Sequence, residues 1–248
     1  MNKRAFFLSV AIFASLFLQS LPARGQSANQ CVSCHQNLQK KELAKYFDLW
    51  KNSVHEKKGI FCEACHGGDP GASEKGKAHA GILPSDDEKS GIYPRNVPAT
   101  CGKCHPAELN DFKQSLHYTQ LVKANAGPTC ATCHQGKTGF ILNGALIAET
   151  CKDCHSKMKD EQKWIPEKAH LLMVMTKQVS VLLDWAKDYV DSQKLDAEKK
   201  SKLKKTLKNI ETLNKSGYRW HTFNMHDYEN SLSKAFSEVI EIRDQAGK

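Results

Sequence analysis

The stretch Trp50 to His66, WKNSVHEKKGIFCEACH, sets the reading of the chain. Cys62 and Cys65 are spaced so that each thiol can add to a haem vinyl group, and His66, next in sequence, then lies beneath the porphyrin as the proximal iron ligand. Seven residues before Cys62, His55 offers a second imidazole, which a neighbouring iron needs on its other face to become six-coordinate.

The CxxCH pattern occurs five times, at Cys31–His35, Cys62–His66, Cys101–His105, Cys130–His134 and Cys151–His155. Together these use all ten cysteines: Cys31, Cys34, Cys62, Cys65, Cys101, Cys104, Cys130, Cys133, Cys151 and Cys154. Zinc sites or a disulfide framework would not explain a histidine after every second cysteine. The pattern predicts five covalently attached c-type haems, with His35, His66, His105, His134 and His155 as proximal ligands.

Six other histidines remain: His55, His79, His117, His170, His221 and His226. They are the candidates for five distal positions, and they are enough to make every iron six-coordinate with one to spare. Met158, Met173, Met175 and Met225 read instead as packing on helical faces. An iron with both axial positions filled by protein relays electrons. An open iron would make the chain a haem-dependent oxidoreductase, so activity as an enzyme stays open at this point and no catalytic residue is assigned.

Residues 1–25 read as a secretory signal peptide, with Lys3 and Arg4 ahead of an apolar run from Ala5 to Leu18 and a small-x-small cleavage site at Ala23-Arg24-Gly25. The apolar run is short for a membrane span, so an exported, periplasmic protein cleaved near Gly25 is expected rather than an integral membrane protein. Its loss lowers the formal charge from +9 to +6, because it carries three cations and no acids. Ten haem propionates set against five ferric charges bring the holoprotein near neutrality, and this argues against a nucleic-acid partner.

The expected fold class is mainly α: an irregular multihaem domain over residues 26–160, then long antiparallel helices over 161–248 that supply distal ligands. About 45 mature residues per haem are too few for an ordinary apolar core around each cofactor. Periodicity predicts helices over 38–52 and 107–123, and loop with His79 from Gly67 to Pro98. Beyond Glu161 a helical face runs through Leu171, Met175, Val179, Leu182, Ala186 and Val190, and breaks near Asp191–Asp196. It resumes through Leu203, Leu207, Ile210 and Leu213. Asp227 is the expected cap of a last helix that buries Leu232, Phe236, Val239 and Ile240. Apolar stripes of this length also suggest a homo-oligomer.

The segment W-x-x-S-x-H-x-x-x-G-I-x-C-x-x-C-H-G, at Trp50, Ser53, His55, Gly59, Ile60, Cys62, Cys65, His66 and Gly67, resembles the superfamily of pentahaem cytochrome c nitrite reductase, octahaem hydroxylamine oxidoreductase and their tetrahaem relatives. His226-Asp227-Tyr228 with Leu232 is similar to the His-Asn-Pro opening of the last long helix in nitrite reductases, which implies a distal role for His226. The lysine-ligated CxxCK motif of those reductases has no counterpart here. The tyrosine cross-link of hydroxylamine oxidoreductases would fall to Tyr218 or Tyr228, which read more simply as packing at a helix entry.

The expected function is therefore a periplasmic pentahaem relay through bis-histidine haems in anaerobic, nitrogen, sulfur or metal respiration. Its partners would be redox proteins, such as a membrane quinol-oxidising complex and a terminal reductase. The alternative is a small oxidoreductase acting on nitrite, hydroxylamine or a sulfur oxyanion at one open iron.

Overall fold

A computed structural model describes residues 29–38, 41–134, 144–158, 160–215 and 217–247, and all regular structure among them is helical. Eleven short helices come first. They are α1 (Gln30–His35), α2 (Lys41–Lys51), α3 (Val54–Lys57), α4 (Glu63–His66), α5 (Lys75–Ala78), α6 (Val97–Gly102), α7 (Pro106–Phe112), α8 (Leu116–Ala124), α9 (Cys130–His134), α10 (Gly144–Thr150) and α11 (Lys152–His155). Three long ones follow: α12 (Ile165–Ser192), α13 (Ala197–Lys215) and α14 (Met225–Ala246). No described helix is long and apolar enough to cross a membrane. The expected signal segment, 1–25, lies outside the described residues.

The long helices form one layer. Asn214 Nδ2 donates to Ser180 Oγ at 2.6 Å and Lys204 pairs with Asp191 at 2.6 Å, so α13 runs antiparallel to α12. Lys168 pairs with Glu229 near the start of α12 and α14, which places those two helices side by side in the same direction. The core between the three is built from Leu172, Val179, Leu183, Leu207, Ile210, Leu232 and Val239, each at most 2% exposed. At about 1.5–3 kcal/mol per buried aliphatic side chain, this layer is the main apolar contribution to stability in the protein moiety.

The buried face of α12 keeps Val179, Ala186 and Val190 of the expected stripe but is rotated from the rest of it. Leu172 and Leu183 point inward, Met175 and Leu182 sit at its edge, and Leu171 is exposed. The helix has neighbours on two sides, α13 and α14, and the face between them shares only part of the stripe that hydropathy alone selects. Leu213 and Phe236 are exposed for the same reason, with Asn214 and Ala235 buried in their place.

Two boundaries also differ from expectation. The helix expected over 107–123 is broken in two, because Ser115 takes an extended conformation and its Oγ accepts from the Tyr118 N–H at 3.1 Å, starting α8 afresh. The cap of α14 is Asn224, not Asp227. Asn224 Oδ1 accepts from the Asp227 N–H at 3.3 Å while Asn224 Nδ2 donates to Asp227 Oδ2 at 2.6 Å, so the acid at the third helical position holds the capping side chain in place.

Candidate haem-binding sites

Each CxxCH motif occupies one helical turn. His66, His105 and His155 donate their backbone N–H to the first cysteine of their motif at 2.9, 3.0 and 2.9 Å. Residues i, i+3 and i+4 share a helix face, so both thiols and the imidazole project together from the turn.

Consecutive motifs are also neighbours in space. Burial pushes the Cys62 thiol up to about 11, with Cys31 adding to the shift, and burial pushes Cys133 up to about 12 with help from Cys151 and Cys154. Cys65 feels Cys101 and Cys104 in the same way, after burial. Cys101 and Cys130 share a hydrogen bond that raises the first and lowers the second. The five motifs therefore run in chain order through the molecule, each within electrostatic reach of the next.

Four of the five motif histidines face a histidine from outside the motifs. Ring centres are 6.0 Å apart for His35 and His79, 6.3 Å for His55 and His105, 6.0 Å for His117 and His155, and 6.1 Å for His134 and His221. Two imidazoles on opposite sides of one metal ion, with nitrogen about 2 Å from the metal and about 1.1 Å from its own ring centre, stand about 6.2 Å apart. The observed distances match this spacing. The residues present fit a haem iron.

Local structure aims these rings. Ser53, fully buried, accepts from the Glu56 N–H at 3.3 Å and starts the turn that carries His55. Ser115 does the same for His117. The two segments, WKNSVH and FKQSLH, are an internal repeat in which an aromatic residue, a buried cap and the histidine recur at the same spacing. The repeat was visible in the sequence, but it gains meaning only when both serines prove to be caps. His79 Nδ1 lies 2.8 Å from the Lys75 carbonyl, which can only accept, so the proton sits on Nδ1 and Nε2 keeps its lone pair for a metal. Arg219 donates to Asp111 Oδ1 at 3.1 Å and to Gln114 Oε1 at 2.7 Å, and so ties the segment bearing His221 to α7. Phe223 packs edge-on against His117 with ring centres 4.6 Å apart. No composition or periodicity signal marks Lys75, Arg219 or Phe223.

Burial holds the imidazoles of His35, His55, His117, His134, His155 and His221 below their usual pKa, and the facing histidine adds to the shift for the first four. Neutral imidazole is the metal-binding form. In the His117 and His155 pair, both Nδ1 atoms are buried without a hydrogen-bond partner among the described residues.

His66 also has its pKa lowered, by desolvation from the protein around it and then by His35, but it is the exception to the pairing. It is exposed and, among the described residues, no second imidazole faces it. His170 and His226 are likewise exposed, near the starts of α12 and α14, and His226 Nε2 lies 3.2 Å from Asn230 Nδ2. Tyr228 is buried and bonded to Thr176, in keeping with a packing role. The Tyr218 side chain lies outside the described residues.

Residues 88–156 match the family of cytochrome c7 and related cytochrome c, and residues 17–67 match that of cytochrome c554 and c-prime. The chain is a multihaem c-type cytochrome. It is similar to the C-type polyheme cytochromes OmcB, 29% identical over 130 residues, and OmcC, 24% identical over 132 residues, both of Geobacter sulfurreducens. These matches cover 48% and 47% of this cytochrome but only 15% and 16% of the relatives. No solved structure matches it. The families matched give a coarser placement than the likeness to nitrite reductase and hydroxylamine oxidoreductase at Trp50–Gly67.

Proposed function

We propose that this cytochrome is a periplasmic pentahaem relay that passes electrons between redox proteins, such as a quinol-oxidising membrane complex and a terminal reductase. The observation that carries the reading is the four imidazole pairs, each joining a CxxCH histidine to one outside the motifs at about 6 Å. A haem held by two imidazoles gains and loses an electron with little movement of its ligands. The chain's part is to fix those ligands. His55, His79, His117 and His221 are the distal ligands on this reading, the carbonyl of Lys75 orients one, Ser53 and Ser115 cap the turns of two, and Arg219 anchors the segment of the fourth. His66 would take its sixth ligand from His170 or His226.

The reading includes residues 1–25 as a cleaved signal, 26–160 as the haem-binding region and 161–248 as the helical region. It keeps the likeness to the nitrite reductase and hydroxylamine oxidoreductase superfamily, since the cytochrome c554 match spans the Trp50–Gly67 stretch that carries it. Mass spectrometry of the holoprotein should give the mature chain plus five haems, and a lower count refutes the assignment. His55→Ala, His79→Ala, His117→Ala and His221→Ala should each convert one low-spin ferric signal to high spin in electron paramagnetic resonance.

One observation favours a second reading. Because no imidazole ring is paired with His66 among the described residues, its iron could bind nitrite, hydroxylamine or a sulfur oxyanion. A high-spin signal in the oxidised wild type that responds to these molecules, with turnover from an artificial donor or acceptor, would make the enzyme reading the better one.

A further inference from the structure

Among the described residues, three other than glycine have a left-handed backbone: Asn125 (φ 48°), Arg219 (φ 61°) and Phe223 (φ 56°). Asn125 ends α8, where asparagine is an ordinary choice. Phe223 is not. It forms the turn between the 3-10 segment Gly217–Thr222 and the Asn224 cap of α14, with its N–H on the Trp220 carbonyl at 2.9 Å, where glycine or asparagine would sit with little strain. A bulky side chain kept at such a position calls for a reason in what the ring touches.

The ring of Phe223 meets the His117 imidazole edge-on, with the planes at 75°, and is itself braced edge-on by buried Phe112, with centres 6.2 Å apart and planes at 71°. His79 is oriented by the hydrogen bond between its Nδ1 and the Lys75 carbonyl, whereas His117 has no such bond at Nδ1 among the described residues. The last torsion of a histidine side chain has a broad energy profile, so the plane of an imidazole without that bond is set by what packs against it. Edge-to-face aromatic contact is directional, because the positive rim of one ring seeks the negative face of the other. We propose that Phe223 is a positioning residue for the fifth haem: its ring fixes the plane of His117, 58° from that of His155, and the left-handed turn is retained because it puts the ring there. This rests on the reading of His117 as the distal ligand opposite His155. Leucine would fill much of the same space against Phe112 and Trp220 but would offer His117 no ring, and glycine would relax the turn while leaving the imidazole uncovered.

Electron paramagnetic resonance of the oxidised holoprotein tests this, because the g-anisotropy of a low-spin ferric haem follows the angle between its two axial imidazole planes. His117→Ala identifies the signal of the fifth haem. In Phe223→Leu and Phe223→Gly that signal should shift and broaden while the others stay in place, and cyanide should displace His117 about tenfold more readily than in the wild type. Phe223→Tyr, which keeps the ring, should retain the wild-type spectrum and cyanide affinity. The glycine variant separates ring from turn, since its backbone is at ease and its spectrum should still follow that of leucine. If Phe223→Leu fails to accumulate, Phe223→Gly decides in its place. A His117→Ala variant that loses no low-spin signal would refute the distal assignment, and the proposal with it. With that assignment upheld, a Phe223→Leu spectrum equal to the wild type, a change spread over all the haems, or a tyrosine variant as altered as the leucine one would each overturn the proposal alone.

Discussion

His55 and His105 stand with ring centres 6.3 Å apart, although 50 residues separate them in the chain. One belongs to a capped turn ahead of the second CxxCH motif and the other closes the third. The motif that supplies a proximal histidine therefore does not supply its own distal one, and each pair links two parts of the chain. His134 and His221 do this over the longest sequence distance and join the α9 turn to the segment just before α14.

Removing the buried caps tests how these pairs are held. Ser53→Ala and Ser115→Ala should each cost about 1 kcal/mol, the usual loss for an N-cap, seen as a lower thermal midpoint. Ser115→Ala should cost more, since Ser115 Oγ also donates to the Phe112 carbonyl at 2.7 Å. A cap that only stabilises would leave the paramagnetic spectra alone. A cap that aims a ligand should broaden or shift one low-spin signal, and we expect that result in both variants.

Arg219 separates stability from ligand placement. The guanidinium end of its ion pair with Asp111 is 61% exposed, so Arg219→Ala should change global stability by about 1 kcal/mol. The same change frees the segment carrying His221. Redox titration of the variant should show one haem with an altered midpoint potential and the others unchanged.

The depressed imidazole pKa values fix the sign of a pH effect. The folded value lies below the ordinary 6.5, so from neutrality down to about that pH nothing is lost; below it the unfolded chain takes up protons that the folded one refuses, and stability falls. For ligation the consequence is opposite in sense: neutral, iron-binding imidazole persists further into acid than a free histidine would. The low-spin absorption spectrum should therefore be retained at about pH 5.5, and its loss between about pH 6 and 7 would contradict this account.

Leu232 and Phe236 are separated by one helical turn on α14, yet only Leu232 is buried, at 0% exposure. Leu232→Ala should cost about 2–5 kcal/mol through the cavity it opens in the three-helix layer. Phe236→Ala, at a site 47% exposed, should cost far less. Thermal melts followed at 222 nm would compare the two directly.

The five CxxCH motifs, and with them the multihaem character, were legible in the sequence, because thioether attachment and proximal ligation are local chemistry confined to one helical turn. The helical class and the break before α13 were legible for a similar reason, since periodicity and turn residues act over a few positions. The pairing of His55 with His105 or His134 with His221 was not, because a distal ligand is chosen by how distant segments pack, and six histidines offered too many matches. The face buried by α12 also belonged to the tertiary structure: two neighbouring helices, not hydropathy alone, decide which residues meet, and this is why Leu172 is inside while Leu171, beside it in the chain, remains on the surface.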